Sequence, residues 1–164
     1  MNYSIELKDR EINFESGEDL SDFDLQALLK IDYTDLLEEI RCFPFVLNQI
    51  NFLLIESKNH LNETKFQLDI IKDNLDRYKS EIYMDVMKEL IDSGVKSPTI
   101  TLIEGQISLK QTFIDLKTSC KLKEKEIARL QNQVDYMSSL YWNAKAKAEI
   151  LINLSKSLNL NELN

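Results

Sequence analysis

Apolar residues recur at every third and fourth position from Gln106 to Leu158. Leu109, Phe113, Leu116 and Cys120 are followed by Ile127, Leu130, Val134, Met137, Tyr141, Ala144, Ala148, Leu151 and Leu158. Only Lys123 and Ser155 interrupt this register, and neither Gly nor Pro falls inside it. A seam kept this long predicts one long helix held against another of comparable length. The partner lies upstream. Leu47, Leu54, Leu61, Leu68, Leu75 and Ile82 recur at heptad spacing, with Ile50, Ile71 and Tyr78 at the alternate seam position. Ser93-Gly94 ends that helix, and Ser97-Pro98 prevents its continuation. The next helix starts at Thr99 or Thr101, where Thr101 and Glu104 form a capping box.

Two long helices joined by a short loop are antiparallel neighbours, and facing residues have numbers that sum to about 194. Upstream, Tyr3, Ile5 and Leu7 alternate, as do Ile12 and Phe14, which predicts a small hairpin or an extended arm over 1–20. Ser21 with Asp24 opens a short helix to about Ile31. Thr34 or Asp35 caps a second short helix, which Pro44 ends unless it opens the next helix as its first residue. The expected architecture is all-α. A long antiparallel, coiled-coil-like hairpin covers 44–164 with its loop near 93–100. Short helices occupy 21–43, and an acidic arm or small β element occupies 1–20.

One end of this hairpin is apolar beyond the seam. Phe52-Leu53-Leu54-Ile55 is apolar on every side of its helix and faces Leu140, Tyr141 and Trp142. Ile150-Leu151-Ile152 and Leu154 repeat the pattern. A helix apolar all round needs more than one partner. This predicts a homo-oligomer held through Phe52, Leu53, Ile55, Leu140, Trp142, Ile150, Leu151 and Leu154.

Composition fits this picture. The chain has 164 residues, which suggests one domain; it is 43% hydrophobic and 29% charged, and its 3 Gly and 2 Pro leave little material for turns. The net charge of −8 argues against a general polyanion binder. Most of that excess lies before Phe43, so an acidic arm stands beside a nearly balanced body. In that body Lys58, Lys65, Lys72 and Lys79 recur at heptad e positions, and Lys117, Lys121, Lys123, Lys125 and Arg129 cluster on the second helix. The antiparallel register brings Lys65 and Lys72 near 121–129. The candidate phosphate-backbone site is therefore Lys58, Lys65, Lys72, Lys79, Lys117, Lys121, Lys125 and Arg129. Interleaved Glu63, Asp69, Asp73, Asp76, Glu124 and Glu126 leave ordinary inter-helix ion pairs as the competing reading.

Catalysis finds no support. His60 reads as an exposed helix residue, and no nucleophile–base pair, phosphate loop or metal spacing occurs. The expectation is a protein that is not an enzyme and needs no cofactor. Cys42 and Cys120 are far apart, consistent with a reducing compartment. Neither a leader segment nor an apolar run of about 18 residues is present, so a cytoplasmic protein without membrane insertion is expected.

The stretch Gly94-Val95-Lys96-Ser97-Pro98-Thr99, then Ile103-Glu104-Gly105-Gln106-Ile107, then Tyr141-Trp142 ahead of Ala144, Ala146 and Ala148, resembles the UvsY-like recombination mediators of tailed phages. The resemblance covers about residues 32–158, and the acidic segment 1–39 lies mostly outside it. Members of that family are basic where this chain is acidic. The resemblance implies a mostly helical, ring-forming homo-oligomer acting on single-stranded DNA in recombination and repair. It also implies recombinase and single-strand-binding protein as partners, and the host cytoplasm as location. Two other readings remain: a structural or adaptor coiled coil of phage assembly, or a hairpin chaperone, without nucleic acid; and an acidic inhibitor of a host enzyme.

Overall fold

The heptad leucines of the first arm lie on one continuous helix, α1, which runs Leu36–Asp92. The computed structural model describes residues 2–6, 11–15, 18, 20 and 29–161. Ahead of α1 a 3-10 turn covers Tyr33–Asp35, capped by Asp32, whose carboxylate accepts from the Thr34 amide at 2.9 Å. The expected separate helix ending at Pro44 does not form, because Pro44 lies inside α1. Proline forgoes the bond to the Ile40 carbonyl and costs a helix interior about 3 kcal/mol. Burial on either side offsets this: Phe43 is 4% and Ile50 0% exposed. Packing thus overrides the local breaker. The short helix expected over 21–31 falls mainly outside the described residues, and 29–31 is not α-helical.

The alternating segment near the N-terminus is a β-hairpin. β1 (Asn2–Glu6) pairs antiparallel with β2 (Glu11–Glu15), with Tyr3 opposite Phe14 and Ile5 opposite Ile12. Of the two expected alternatives, hairpin or extended arm, the hairpin is the one present.

α1 ends in a Schellman motif. The Gly94 amide donates to the Ile91 carbonyl and the Val95 amide to that of Leu90. Gly94 supplies the required positive φ of 98°. Thr99, rather than Thr101, caps the next helix, α2 (Ile100–Ile107), accepting from the Leu102 amide at 3.3 Å. The second arm is then interrupted. The Leu109 and Lys110 amides donate to the Gln106 and Ile107 carbonyls, a tightened i→i−3 pattern, and the Ser108 hydroxyl donates to the Gly105 carbonyl at 2.6 Å. Leu109, expected in the seam, is 69% exposed, and its place is taken by Ile107 and Phe113. α3 resumes at Gln111 and continues to Asn161.

The chain divides into two compact units, Met1–Leu61 with Ala128–Asn164, and Asn62–Ile127. In the first, Phe43, Ile50, Leu54 and Leu61 of α1 and Leu130, Val134, Met137, Leu140, Ala144 and Leu151 of α3 are buried. The buried row of α3 steps from Met137 to Leu140, Ala144, Lys147 and Leu151, so Leu140 and Lys147 hold positions that strict heptads assign to Tyr141 and Ala148. Such a three-residue step is a stammer in the repeat. Gln133, 2% exposed, donates to the Glu15 carbonyl at 3.0 Å and ties the hairpin to α3. In the second unit Val86, Ile103, Ile107 and Phe113 form the core, with Leu75, Tyr78, Ile82 and Leu90 packed against them. Lys72 with Glu124, Lys79 with Phe113 and Glu89 with Lys110 pair rising numbers on α1 with falling numbers on the returning arm, which makes the two arms antiparallel there. In the first unit Glu39 of α1 pairs with Lys147 of α3.

Candidate nucleic-acid interface

The heptad lysines of α1 and the lysines of α3 meet in the second unit around one ring. Phe113 is buried in one cluster with Val86, Ile103 and Ile107. Its ring lies 5.7 Å from the Lys79 ammonium and 5.7 Å from that of Lys117, so cations from two helices converge on one aromatic. Beside it an open concavity of about 330 Å³ is lined by Ser108, Phe113, Ile114, Lys117, Thr118 and Lys121. The Ser108 and Thr118 hydroxyls and the Lys117 and Lys121 ammonium groups make a surface suited to an anionic group.

The other lysines are distributed unevenly. Lys72 reaches Glu124 at 3.8 Å and Lys79 reaches Asp76 at 3.7 Å. Both pairs are exposed, so water and salt weaken them and a phosphate can displace the carboxylate. Lys123, part of the sequence cluster, is half-buried and bound to Glu126 at 2.7 Å. Lys65 and Lys125 are exposed in the same unit, whereas Lys58 and Arg129, also exposed, belong to the first unit. The structure brings together Lys79, Lys117 and Lys121.

The residues expected to hold copies together also separate. Phe52, Ile55, Trp142 and Ile150 are exposed, at 61, 48, 62 and 48%. Leu53, Leu140 and Leu151 are buried in the chain's own core, and Leu154 is half-buried. Trp142 stands edge-on to Tyr141, with the Lys145 ammonium 5.1 Å from its ring.

Sequence reasoning missed Lys147. It is 5% exposed, pairs with Glu39, donates to the Lys30 carbonyl at 2.8 Å and lies 4.2 Å over the Phe43 ring. This ammonium is structural and withdrawn from any ligand. A register sum of about 194 sets Lys147 opposite Leu47, four to eight residues from its partners Phe43 and Glu39, and a charge on an apolar seam reads as an interruption. A second local arrangement lies at the start of α1. The Cys42 thiol donates to Glu38 at 3.0 Å, and that hydrogen bond, followed by partial desolvation, raises its pKa. The same carboxylate, by hydrogen bond and charge, raises that of Arg41. Among the described residues no group of acidic, His or Cys side chains is placed to hold a metal, and no helix is long and apolar enough to cross a membrane. No known protein family, curated protein or solved structure matches the chain.

Proposed function

We propose that this chain is a non-enzymatic, oligomeric helical protein that associates with single-stranded DNA and assists recombinase loading in phage recombination. The observation carrying this reading is the convergence of Lys79 and Lys117 on Phe113 beside the concavity that Lys121 also lines. Phosphates bind there by charge, and the exposed Phe52, Ile55, Trp142 and Ile150 supply apolar surface for copies to meet. The likeness of 94–107 and 141–148 to UvsY-like mediators supplies the biological setting, with recombinase and single-strand-binding protein as partners.

Fluorescence anisotropy of a labelled single-stranded oligonucleotide tests it. Three phosphate contacts give a slope of log K against log salt of about −2. The triple substitution Lys79→Glu, Lys117→Glu, Lys121→Glu removes that slope and most of the affinity, with helicity retained. Equal binding by the triple variant removes these lysines from the site. Absence of binding by the natural chain at low salt favours the second reading, a structural or adaptor coiled coil of phage assembly without nucleic acid. The carboxylates holding Lys72 and Lys79 speak for that alternative.

A further inference from the structure

The outer side of α1 in the second unit carries residues that a solvated helix face does not need. Phe66 is 65%, Ile70 44% and Met84 57% exposed. At 100° per residue these three fall with Asp73 and Arg77 in a band roughly 60° wide. That band lies opposite the side bearing the buried Leu68 and Val86.

Its sequence is self-complementary. Phe66 and Met84 are equidistant from Leu75, and so are Asp73 and Arg77. A second α1 laid antiparallel across this face, with the two-fold axis at Leu75, sets Phe66 against Met84 of the second copy and Asp73 against Arg77 of the second copy. Each contact occurs twice, as an isologous interface requires. A parallel arrangement in register stacks Asp73 on Asp73 and Arg77 on Arg77, so charge alone selects the antiparallel one. Arg77 is held only by surface partners of its own helix, Asn74 at 2.9 Å and Glu81 at 3.9 Å, and Asp73 has no ion pair among the described residues. Both charges are exposed and ready for exchange.

We infer that this face of α1 is a docking surface for a second copy of the chain, antiparallel and two-fold symmetric about Leu75. The contact runs roughly 27 Å from Phe66 to Met84 and is one helix wide. That is at the small end of specific interfaces, so the association is weak and concentration-dependent. The lysine row Lys65, Lys72, Lys79 lies roughly 120° round the same helix, so the pairing leaves it open.

Sedimentation velocity over a hundredfold range of concentration tests the inference on the full chain, with circular dichroism as the check on folding. Arg77→Asp opposes like charges at both symmetric positions and weakens association about tenfold. The swap Asp73→Arg with Arg77→Asp restores it, which no general surface effect achieves. Phe66→Glu weakens it at least as much as Arg77→Asp. The inference is overturned if the natural chain stays monomeric throughout. It is equally overturned if Arg77→Asp leaves association unchanged, or if the double swap fails to restore it. Association lost in Trp142→Asp but kept in Arg77→Asp places the contact in the other unit and also overturns it. DNA affinity is read separately, so this outcome does not depend on the lysine site.

Discussion

Replacing Glu39 with alanine takes a carboxylate away from a buried ammonium, that of Lys147. The Lys147 side chain is 6% exposed, and after the substitution it keeps the Lys30 carbonyl and the Phe43 ring but loses the Glu39 carboxylate. Removing one member of a buried pair costs about 3–5 kcal/mol. Glu39 itself is 22% exposed, so water already screens part of the pair, and about 2–3 kcal/mol is the expected loss. Lys147→Met acts differently. It keeps an unbranched stem of similar volume, removes the buried charge, and leaves Glu39 able to turn toward solvent, for a cost of about 1 kcal/mol. The double variant Glu39→Ala, Lys147→Met then lies closer to Lys147→Met than to Glu39→Ala, because the buried charge is gone. Urea unfolding followed by helicity measures all three. At an m-value of about 2 kcal/mol/M the midpoint of Glu39→Ala falls by about 1 M. A loss under about 0.5 kcal/mol in Glu39→Ala, or strict additivity in the double variant, refutes the assignment of the pair as a buried structural unit.

Two other perturbations probe local structure. Gly94→Ala and Gly105→Ala have opposite signs in the same denaturation assay. A Cβ at either position meets nothing within 4 Å, but Gly94 has φ of 98° and its replacement costs about 1 kcal/mol, whereas Gly105 is helical and alanine there gains about 0.5–1 kcal/mol. At Cys42 the native thiol has a raised pKa, so the protonated form is favoured in the fold. The linked stability is present below the unfolded thiol pKa and is lost as pH rises through the folded value. Alkylation at pH about 8.5 is therefore slower than for an ordinary exposed thiol, and Glu38→Gln accelerates it.

The heptad leucines and the Ser93-Gly94 stop were legible because periodicity and glycine chemistry are local. The continuous α1 was not, because Pro44 signals a break and only the burial of Phe43 and Ile50 overrules it. Leu109 fitted the seam by spacing, but it lies in the tightened backbone turn ahead of α3, which a hydrophobicity pattern does not show, and it is exposed. The lysine stripe was readable as a row. Which of its members converge was not, since Phe113 gathers Lys79 and Lys117 from different helices. Lys147 shows the cost of treating charge as the opposite of core: its partners come from Lys30, Glu39 and Phe43, far away in sequence.

The turn at Ser108–Lys110 also decides how far unravelling travels. Eight residues are too few for α2 to persist alone, and Ile103 and Ile107 anchor it. When those anchors let go, its amides exchange with solvent as a group. The loss halts at the turn, since the ladder of α3 begins afresh where the Ile114 amide donates to the Lys110 carbonyl. A continuous helix has no such firebreak and frays inward one bond at a time. Deuterium uptake thus divides into two classes at this point, a fast one through Ile107 and a slow one from Ile114 onward, and the segment between Thr99 and Ser108 opens without unzipping the rest of the seam.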